Sequence, residues 1–245
     1  MNMIKALLID DERLARNEMR RLLQQFDEVE IVGEAANADE ALSLIEKQQP
    51  DLLFLDIQMP GKTGFELLEE LDSAPPVIFV TAYDEYAIKA FEVNALDYLL
   101  KPVDEKKLET ALQKVKKDLP AQPPGKDEKG TSRILREDER VFLKDGDKCW
   151  FVSLKDIRYF ESNGNYVQVF FDNQKPMVLK SLNKLEDKLS KKQFFRAGRK
   201  FIINLSFIEK IEPSLNGGLL VVMSDQRQIE ISRRQAAKLK DQMSL

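Results

Sequence analysis

The chain has 245 residues, a formal net charge of −4, a single cysteine and no histidine. Without histidine, this chain by itself cannot build a Ser-His-Asp or Cys-His nucleophile system, a His-ligated catalytic zinc site or an imidazole general base. One cysteine cannot form an internal disulfide, and no apolar run approaches the ~20 residues that span a bilayer. We therefore expect a soluble, cytoplasmic protein with no membrane partner, whose chemistry depends on carboxylates, lysines and hydroxyls.

The first half of the chain alternates short apolar runs with apolar residues at helical spacing. The runs predict β-strands at residues 4–9, 29–32, 52–55, 77–80 and 98–100. A helical pattern follows each strand, with the third helix predicted at 65–71 and the fourth at 83–92. Because the strands are apolar on both faces, they predict a parallel sheet that is covered by helices on both sides.

Polar residues stand at the ends of the predicted strands: Asp10 and Asp11, Asp56, Thr81 and Lys101. Ligands of such sheets bind beyond the carboxyl ends of the strands, where these five side chains would meet. Three carboxylates would repel one another there unless they shared a cation, and oxygen ligands suit Mg²⁺. Asp56 could then attack phosphorus, with Lys101 and Thr81 contacting the transferred phosphoryl group. The alternative is that the acidic residues are ordinary helix caps.

Four segments of this half resemble the receiver domain of bacterial two-component response regulators. They are Leu8-Ile9-Asp10-Asp11-Glu12, Phe54-Leu55-Asp56-Ile57-Gln58-Met59-Pro60-Gly61, Val80-Thr81-Ala82 and Asp97-Tyr98-Leu99-Leu100-Lys101-Pro102. The resemblance covers residues 3 to about 118. It implies a flavodoxin-like, doubly wound α/β fold with five parallel strands in the order 2-1-3-4-5.

The resemblance also implies a phosphoacceptor and a metal site. Asp56 matches the aspartate that accepts the phosphoryl group. Asp11 and Asp56 match Mg²⁺ ligands, together with the backbone carbonyl of Gln58, and Asp10 matches the residue that holds the ion mainly through water.

Three further matches concern the response to phosphorylation. Thr81 and Tyr98 match the pair whose hydroxyl shift and ring rotation report phosphorylation, and Lys101 matches the phosphate-binding lysine. The family's bond between this lysine and the following proline is usually cis, so we expect a cis bond before Pro102. By the same resemblance, the face on which receivers form homodimers after phosphorylation lies near Tyr83, Tyr86 and Phe91.

Charge and composition divide the chain near residue 120. Residues 1–118 contain 14 Lys and Arg against 25 Asp and Glu, whereas residues 119–245 contain 24 against 17. The segment between the halves is rich in proline, glycine and charge, which is typical of a linker. We predict a receiver domain at residues 1–119, a linker at 120–132 and a second domain at 133–245. The basic second domain favours a polyanionic partner.

Strand patterns dominate the second half. Strands are predicted at residues 141–143, 149–152, 157–161, 166–171, 177–179, 208–212 and 219–223. Turn sequences at 145–147, 172–173 and 216–217 separate neighbouring strands. Ser181 opens a short amphipathic helix, and Ser232 with Gln235 predicts a capping box before a terminal helix. The second half is thus mostly β, without a helix-turn-helix pattern.

Basic and amide residues near the strand ends suit contacts with DNA phosphates or base edges. The candidates are Asn163-Gly164-Asn165, Arg196, Arg199-Lys200 and Arg233-Arg234. Lys191 and Lys192 are interpreted as solvated surface.

Three segments here resemble the LytTR-type DNA-binding domain of the LytR/AlgR response regulators, over roughly residues 133–243. They are Ile157-Arg158-Tyr159-Phe160-Glu161-Ser162-Asn163-Gly164-Asn165-Tyr166-Val167, Phe195-Arg196-Ala197-Gly198-Arg199-Lys200-Phe201-Ile202-Ile203-Asn204 and Ile231-Ser232-Arg233-Arg234. The resemblance implies a ten-stranded β fold whose loops enter successive major grooves of direct-repeat sites in double-stranded DNA. The matching DNA-contact positions are Asn165, Arg199 and Arg233, with Lys200 and Arg234 as phosphate contacts. Gly198 departs from the family, which often has histidine there.

The sequence therefore predicts a phosphorylation-controlled transcription factor rather than an enzyme that acts on other molecules. Because the chain has no histidine, a phosphohistidine donor must come from a separate sensor histidine kinase. Two alternatives remain open: a Mg²⁺-dependent phosphohydrolase, and an adaptor whose basic domain binds protein or RNA. The adjacent Asp10-Asp11 pair disfavours the first, because one common aspartate-nucleophile fold has Asp-x-Asp on its first strand.

Overall fold

The computed structural model of the chain describes residues 3–82, 97–118, 134–146 and 148–243. The predicted fourth helix at 83–92, with Tyr83, Tyr86 and Phe91, and the predicted linker at 120–132 lie outside the described residues. Contacts divide the chain into two compact units. The first unit is Met1–Pro123 with Arg140–Phe151, and the second is Pro124–Glu139 with Val152–Leu245.

The first unit is built on a five-stranded sheet. Its strands are β1 (Ile4–Ile9), β2 (Val29–Ala35), β3 (Leu52–Leu55), β4 (Val77–Thr81) and β5 (Asp97–Leu100). Its helices within the described ranges are α1 (Arg13–Leu23), α2 (Ala38–Gln48), α3 (Gly64–Glu70) and α4 (Glu105–Asp118). The strands pair in parallel in the order β2-β1-β3-β4-β5. The predicted α/β fold and strand order are confirmed.

Two hydrophobic cores cover the two faces of this sheet. Successive side chains of a strand point to opposite faces, so β1 supplies Leu7 and Ile9 to one core and Ala6 and Leu8 to the other. The first core also contains residues of α2 and α3, and the second contains residues of α1 and α4. Burial on both faces explains why β3 is an unbroken apolar run and why β4 is apolar up to Thr81.

A β-hairpin that follows the predicted linker groups with the first unit. Its strands are β6 (Arg140–Asp145) and β7 (Lys148–Ser153). Phe142 and Cys149 are buried in the core that contains Phe65, and the rings of Phe142 and Phe65 stack with their centroids 6.3 Å apart. The amide of Ala74 also donates to the carbonyl of Arg140 at 2.9 Å. The contacts thus group Arg140–Phe151 with the first unit, whereas the predicted boundaries assign these residues to the second domain.

A capping box fixes the start of α3. The hydroxyl of Thr63 accepts a hydrogen bond from the amide of Glu66 at 3.2 Å, and the Glu66 carboxylate accepts one from the amide of Thr63 at 2.8 Å. These bonds satisfy amides that a helix end leaves unpaired. We therefore expect Thr63→Ala to lower the free energy of unfolding by about 1 kcal/mol, as measured by urea unfolding.

Thr110→Ala is the matched control for this prediction. Thr110 lies inside α4, where its hydroxyl donates to the carbonyl of Lys106 at 2.9 Å. Such a bond does not cap a helix end, and alanine is the better helix former at an interior position. A loss of stability as large as that of Thr63→Ala would contradict the capping role of Thr63.

The second unit is built from antiparallel sheets. One sheet contains β8 (Ile157–Asn163), β9 (Tyr166–Phe171), β10 (Met177–Val178), β11 (Phe194–Arg196) and β12 (Phe201–Asn204). The other contains β13 (Ile208–Pro213), β14 (Leu219–Met223) and β15 (Gln228–Ile231). The strand orders are β10-β9-β8-β12-β11 and β13-β14-β15. The mostly β fold is confirmed, and β11, β12 and β15 are strands that the sequence patterns did not predict.

Two α-helices lie in the described part of the second unit: α5 (Leu182–Glu186), which Ser181 caps, and α6 (Arg233–Met243). α6 closes a core between the sheets, where Ala236 and Leu239 meet Tyr159 and Val221. Across both units, no helix in the described ranges has the length and apolar character that crossing a membrane requires.

The predicted capping box at α6 is only half formed. The amide of Gln235 lies 3.5 Å from the Ser232 hydroxyl, but the Gln235 side chain donates to the carbonyl of Arg196 at 2.8 Å instead of returning to the cap. The capping-box prediction was therefore wrong for this side chain. Gln235 thus links α6 to the end of β11, just before the predicted DNA-contact residues Arg199 and Lys200.

Candidate functional sites

The carboxyl ends of two adjacent strands bring three carboxylates together. Asp10 and Asp11 follow β1, and Asp56 follows β3, which pairs with β1 in parallel. One carboxylate oxygen from each residue lies within 4.8 Å of the other two. Asp10 and Asp56 are buried, whereas Asp11 is exposed. The predicted juxtaposition of these residues is therefore present.

Lys101 supplies a cation to this cluster. Its Nζ lies 2.7 Å from Oδ2 of Asp10 and 2.7 Å from Oδ2 of Asp56. Lys101 follows β5, and the peptide bond to Pro102 is cis, as the sequence predicted. The ammonium group thus neutralises part of the negative charge that the fold concentrates at this edge.

Burial and charge pairing have opposite effects on the pKa values of Asp10 and Lys101. Burial raises the pKa of Asp10, and the hydrogen bond from Lys101 opposes that change only in part. Burial would lower the pKa of Lys101, but its hydrogen bonds to Asp10 and Asp56 hold that pKa above its ordinary value. Lys101 therefore remains an ammonium group in the site.

Two other predicted residues lie on β4, which neighbours the strand before Asp56, and on β5, the next strand of the sheet. Thr81 ends β4, is fully buried, and its Oγ1 has no hydrogen-bond partner among the described residues. Tyr98 lies in β5 and packs partly buried against the core. The amide of Gln58 donates to Oδ1 of Asp56 at 3.2 Å. Thr81 is notable because an unpaired buried hydroxyl is costly unless a ligand satisfies it.

Arg16 is a contributor to this site that the sequence did not reveal. Its guanidinium donates to the carbonyl of Asp10 at 2.6 Å and to that of Asp11 at 3.3 Å, and its Nε pairs with Glu34 at 3.2 Å. Arg16 therefore fixes the backbone that carries both carboxylates. An arginine on an amphipathic helix carries no sequence signal for such a role.

Gly64 allows α3 to start directly against the acceptor candidate. A Cβ atom at this position would lie 2.3 Å from the backbone carbonyl oxygen of Asp56. The amide of Gly64 also donates to the carbonyl of Ile57 at 2.8 Å. The absence of a side chain at residue 64 thus sets how closely the helix approaches the loop after β3.

The donor set fits a hard divalent cation. The three carboxylates offer oxygen atoms, and the two buried ones contact Lys101. Magnesium prefers oxygen ligands and usually combines few carboxylates with water. The residues therefore suit a shared Mg²⁺ and a phosphoryl group better than an apolar ligand.

The predicted DNA-contact residues are exposed at loops and at a helix start of the second unit. Asn165 lies in the turn between β8 and β9, Arg199 and Lys200 precede β12, and Arg233 and Arg234 begin α6. Two of these segments are directly connected, because the amide of Ser162 donates to the carbonyl of Lys200 at 2.8 Å. The structure thus joins the end of β8 to the loop before β12.

Arg196 ends β11, near a strand end as predicted, and forms hydrogen bonds within its own loop. Its Nε donates to the carbonyl of Gly198 at 2.6 Å, and its Nη2 donates to that of Arg199 at 3.2 Å. Arg196 therefore folds over its own loop and shapes the backbone around Arg199, while its role as a phosphate or base contact stays a prediction. At Gly198 an added Cβ would meet nothing within 4 Å, so the backbone there does not require glycine.

Comparisons with known proteins agree with both units. The family described as response regulator receiver domain matches residues 6–113, and the LytTr DNA-binding domain family matches residues 147–244. The sensory transduction protein LytT of Bacillus anthracis is 37% identical over 241 residues, covering 97% of this chain and 98% of that protein. The transcriptional regulatory protein BtsR of Salmonella typhimurium is 37% identical over 250 residues, covering 99% and 100%.

These relatives match almost the whole chain, and the two family matches follow each other in the same order as the predicted domains. The parallel sheet with its acidic edge and the mostly β second unit have the architecture expected of this pair of domains. The chain belongs to the LytR/AlgR family of two-component response regulators, which join a receiver domain to a LytTR-type DNA-binding domain.

Proposed function

We propose that Asp56 is the phosphoacceptor of this response regulator and that a sensor histidine kinase is the donor. The observation that carries this proposal is the position of Asp56, whose carboxylate lies within 4.8 Å of two other carboxylates and 2.7 Å from the ammonium of Lys101. Asp56 thus stands beside both a suitable metal site and a phosphate-binding cation. Asp10 and Asp11 lie on the neighbouring strand end, where they suit metal binding.

Mg²⁺ is the proposed cofactor, with Asp10, Asp11, Asp56 and the backbone carbonyl of Gln58 as the residues that would hold it. When bound, it would reduce the charge repulsion between the carboxylates and the incoming phosphoryl oxygens. The three carboxylates need such compensation, because Lys101 supplies one positive charge against three negative ones.

The transfer needs no imidazole from this chain. A carboxylate oxygen of Asp56 forms a bond to phosphorus while the bond from phosphorus to the donor's imidazole nitrogen breaks. Lys101 balances charge on the phosphoryl oxygens, and the Thr81 hydroxyl donates a hydrogen bond to them. In this proposal the chain catalyses only its own phosphorylation and dephosphorylation, so it is not an enzyme for other substrates.

Phosphorylation would then change the receiver through Thr81 and Tyr98. The hydroxyl of Thr81 is buried without a described partner, so a phosphoryl oxygen offers it a strong acceptor. We infer that Thr81 moves toward that group and that Tyr98 rotates with it, which favours a homodimer. Such a switch requires that the phosphoryl group stabilise one of two conformations more than the other.

The second domain would bind double-stranded DNA in the cytoplasm at direct-repeat sites. We assign residues 1–119 to the receiver domain, 120–132 to the linker and 133–245 to the DNA-binding domain. Asn165, Arg199 and Arg233 are the proposed base contacts, and Lys200 and Arg234 the proposed phosphate contacts. Their exposure on the second unit supports this assignment, because groups that read DNA must reach the groove.

Selection of DNA from a random pool tests this function. The chain is used with and without phosphorylation by a small phosphodonor in the presence of Mg²⁺. We expect phosphorylation to enrich duplexes that contain a direct repeat. Enrichment that is equal in both states would contradict phosphorylation control, and the absence of any enriched sequence would contradict sequence-specific DNA binding.

A substitution at Arg199 tests the base contact. Arg199→Ala should weaken binding to the selected duplex by ~1–3 kcal/mol, because a base-reading arginine contributes about this much discrimination. Binding to a scrambled duplex should change much less. Lys192→Ala, which removes one exposed charge at a position interpreted as solvated surface, is the control. Equal losses of Arg199→Ala on both duplexes, in titrations at several salt concentrations, would show that Arg199 contacts phosphate instead of bases.

A further inference from the structure

The turn between β13 and β14, residues 214–218, contacts Arg233 directly. Nε of Arg233 donates to the backbone carbonyl of Asn216 at 2.7 Å. The guanidinium also lies over Gly217, since a Cβ atom added there would be 2.3 Å from its Nε and 2.8 Å from its Cζ. Gly217 has a φ of +73°, which favours glycine for a second reason. The turn therefore offers Arg233 both a hydrogen-bond acceptor and a surface without a side chain.

Glu230 braces this turn from the neighbouring strand. Its Oε1 accepts hydrogen bonds from the Ser214 hydroxyl at 3.0 Å and from Nδ2 of Asn216 at 3.1 Å. Backbone hydrogen bonds from the amide of Gly217 to the carbonyl of Ser214 and from the amide of Ser214 to the carbonyl of Gly218 close the turn. Two hydrogen bonds between side chains and two between backbone groups thus hold the acceptor of Arg233 in place.

The hydrogen bond to Asn216 uses Nε of the Arg233 guanidinium and leaves its two terminal nitrogens for a ligand. Among the described residues, no hydrogen bond engages the two terminal nitrogens of Arg233, and the residue is exposed. Two parallel N–H groups on a fixed plane match the two acceptors on a guanine edge or on a phosphate. Fixing the plane before binding reduces the conformational entropy that is lost in the complex.

We propose that the 214–218 turn is a positioning element for DNA recognition, which orients Arg233 through the Asn216 carbonyl and the bare Gly217 backbone. This inference rests on the proposed DNA contact of Arg233. The turn residues act through Arg233, so they are positioning residues and need not touch DNA themselves. The proposal also gives a role to Glu230, an acidic residue near the proposed DNA contact, because its carboxylate holds the turn in place.

The test compares Gly217→Ala, Arg233→Ala and the double variant in the full chain. The probes are a duplex enriched from a random pool by the unaltered chain and a scrambled duplex of the same composition. Arg233→Ala is expected to weaken binding to the enriched duplex about tenfold, with little change on the scrambled one. Gly217→Ala should weaken it by a similar factor, because its methyl group displaces the guanidinium. The double variant should bind no more weakly than Arg233→Ala alone.

Gly146→Ala controls for backbone strain. Gly146 has a φ of +60°, but an added Cβ there meets nothing within 4 Å. It should therefore carry a similar conformational cost in thermal unfolding without changing the discrimination between the two duplexes. Binding by Gly217→Ala that equals binding by Gly146→Ala would overturn the proposal, as would losses from Gly217→Ala and Arg233→Ala that multiply in the double variant.

Two further variants keep the test decisive if Gly217→Ala does not fold. Glu230→Gln retains an oxygen acceptor for the turn, whereas Glu230→Ala removes it. Discrimination should fall several-fold in Glu230→Ala and should return in Glu230→Gln, and equal discrimination in both would overturn the proposal. If Arg233→Ala itself leaves discrimination unchanged, the proposed DNA contact fails and the positioning role fails with it. If only the turn variants leave discrimination unchanged, the DNA contact stands and the positioning role alone is wrong.

Discussion

Replacing Asp56 with asparagine is expected to abolish incorporation of a phosphoryl group from a small phosphodonor in the presence of Mg²⁺. The amide of asparagine is a much weaker nucleophile than a carboxylate and also removes one negative charge from the metal site. The change is nearly isosteric, so the buried position next to Lys101 should tolerate it. Intact-mass spectrometry measures the fraction of chains that carry a phosphoryl group.

Asp51→Asn is the matched control, because Asp51 precedes the same strand whose other end carries Asp56. Its Oδ2 accepts a hydrogen bond from the amide of Lys5 at 3.0 Å, a bond that asparagine can retain. Full labelling of Asp51→Asn and none of Asp56→Asn is the expected pattern. Labelling of Asp56→Asn at the level of the unaltered chain would show that another residue is the acceptor.

Lys101→Met should strongly destabilise the first unit in Mg²⁺-free buffer. The substitution keeps a flexible stem of similar length but removes the ammonium that lies 2.7 Å from both Asp10 and Asp56. The two carboxylates have side-chain exposures of only 9% and 8%, so little water can replace the lost partner. Breaking such a buried pair costs about 3–5 kcal/mol, and urea unfolding in a metal chelator measures the loss.

Added Mg²⁺ should restore part of the lost stability in Lys101→Met. A cation that binds the folded site but not the unfolded chain stabilises the fold by mass action, and the variant has more uncompensated negative charge to offer it. Lys114→Met is the control, since Lys114 forms an exposed pair with Asp97 and should lose less than about 1 kcal/mol. A loss in Lys101→Met no greater than in this control would contradict the proposed role of the ammonium in holding the carboxylates together.

Local patterns in the sequence were sufficient for the first sheet and its acidic edge. β3 and residues 6–9 of β1 are unbroken apolar runs, and their burial on both faces leaves a parallel sheet as the arrangement that covers them. Parallel strands end at one edge, so the positions of Asp10, Asp11 and Asp56 along the chain already imply that they meet. Lys101 follows β5, which pairs in parallel with β4, so its position along the chain also implies that it lies at this edge.

Short strands in the second unit were harder to predict. β11 and β15 are short and contain the polar residues Arg196, Gln228 and Glu230, so they lack the unbroken apolar run that revealed the equally short β3. The pairing of β12 depends on a partner far along the chain, with Ile203 of β12 opposite Tyr159 of β8. Strand propensity reflects such neighbours as much as the residue itself.

What the sequence determined by itself is the family, the order of its two domains and the candidate site residues, because these depend on residue type and order along the chain. Only the tertiary structure decided what the long polar side chains do. Arg16, Arg196 and Gln235 all bind backbone carbonyls, and Arg233 lies on the turn at Gly217. Carbonyl groups are present at every residue, so no sequence pattern can say which of them a folded chain brings within reach of a given guanidinium or amide.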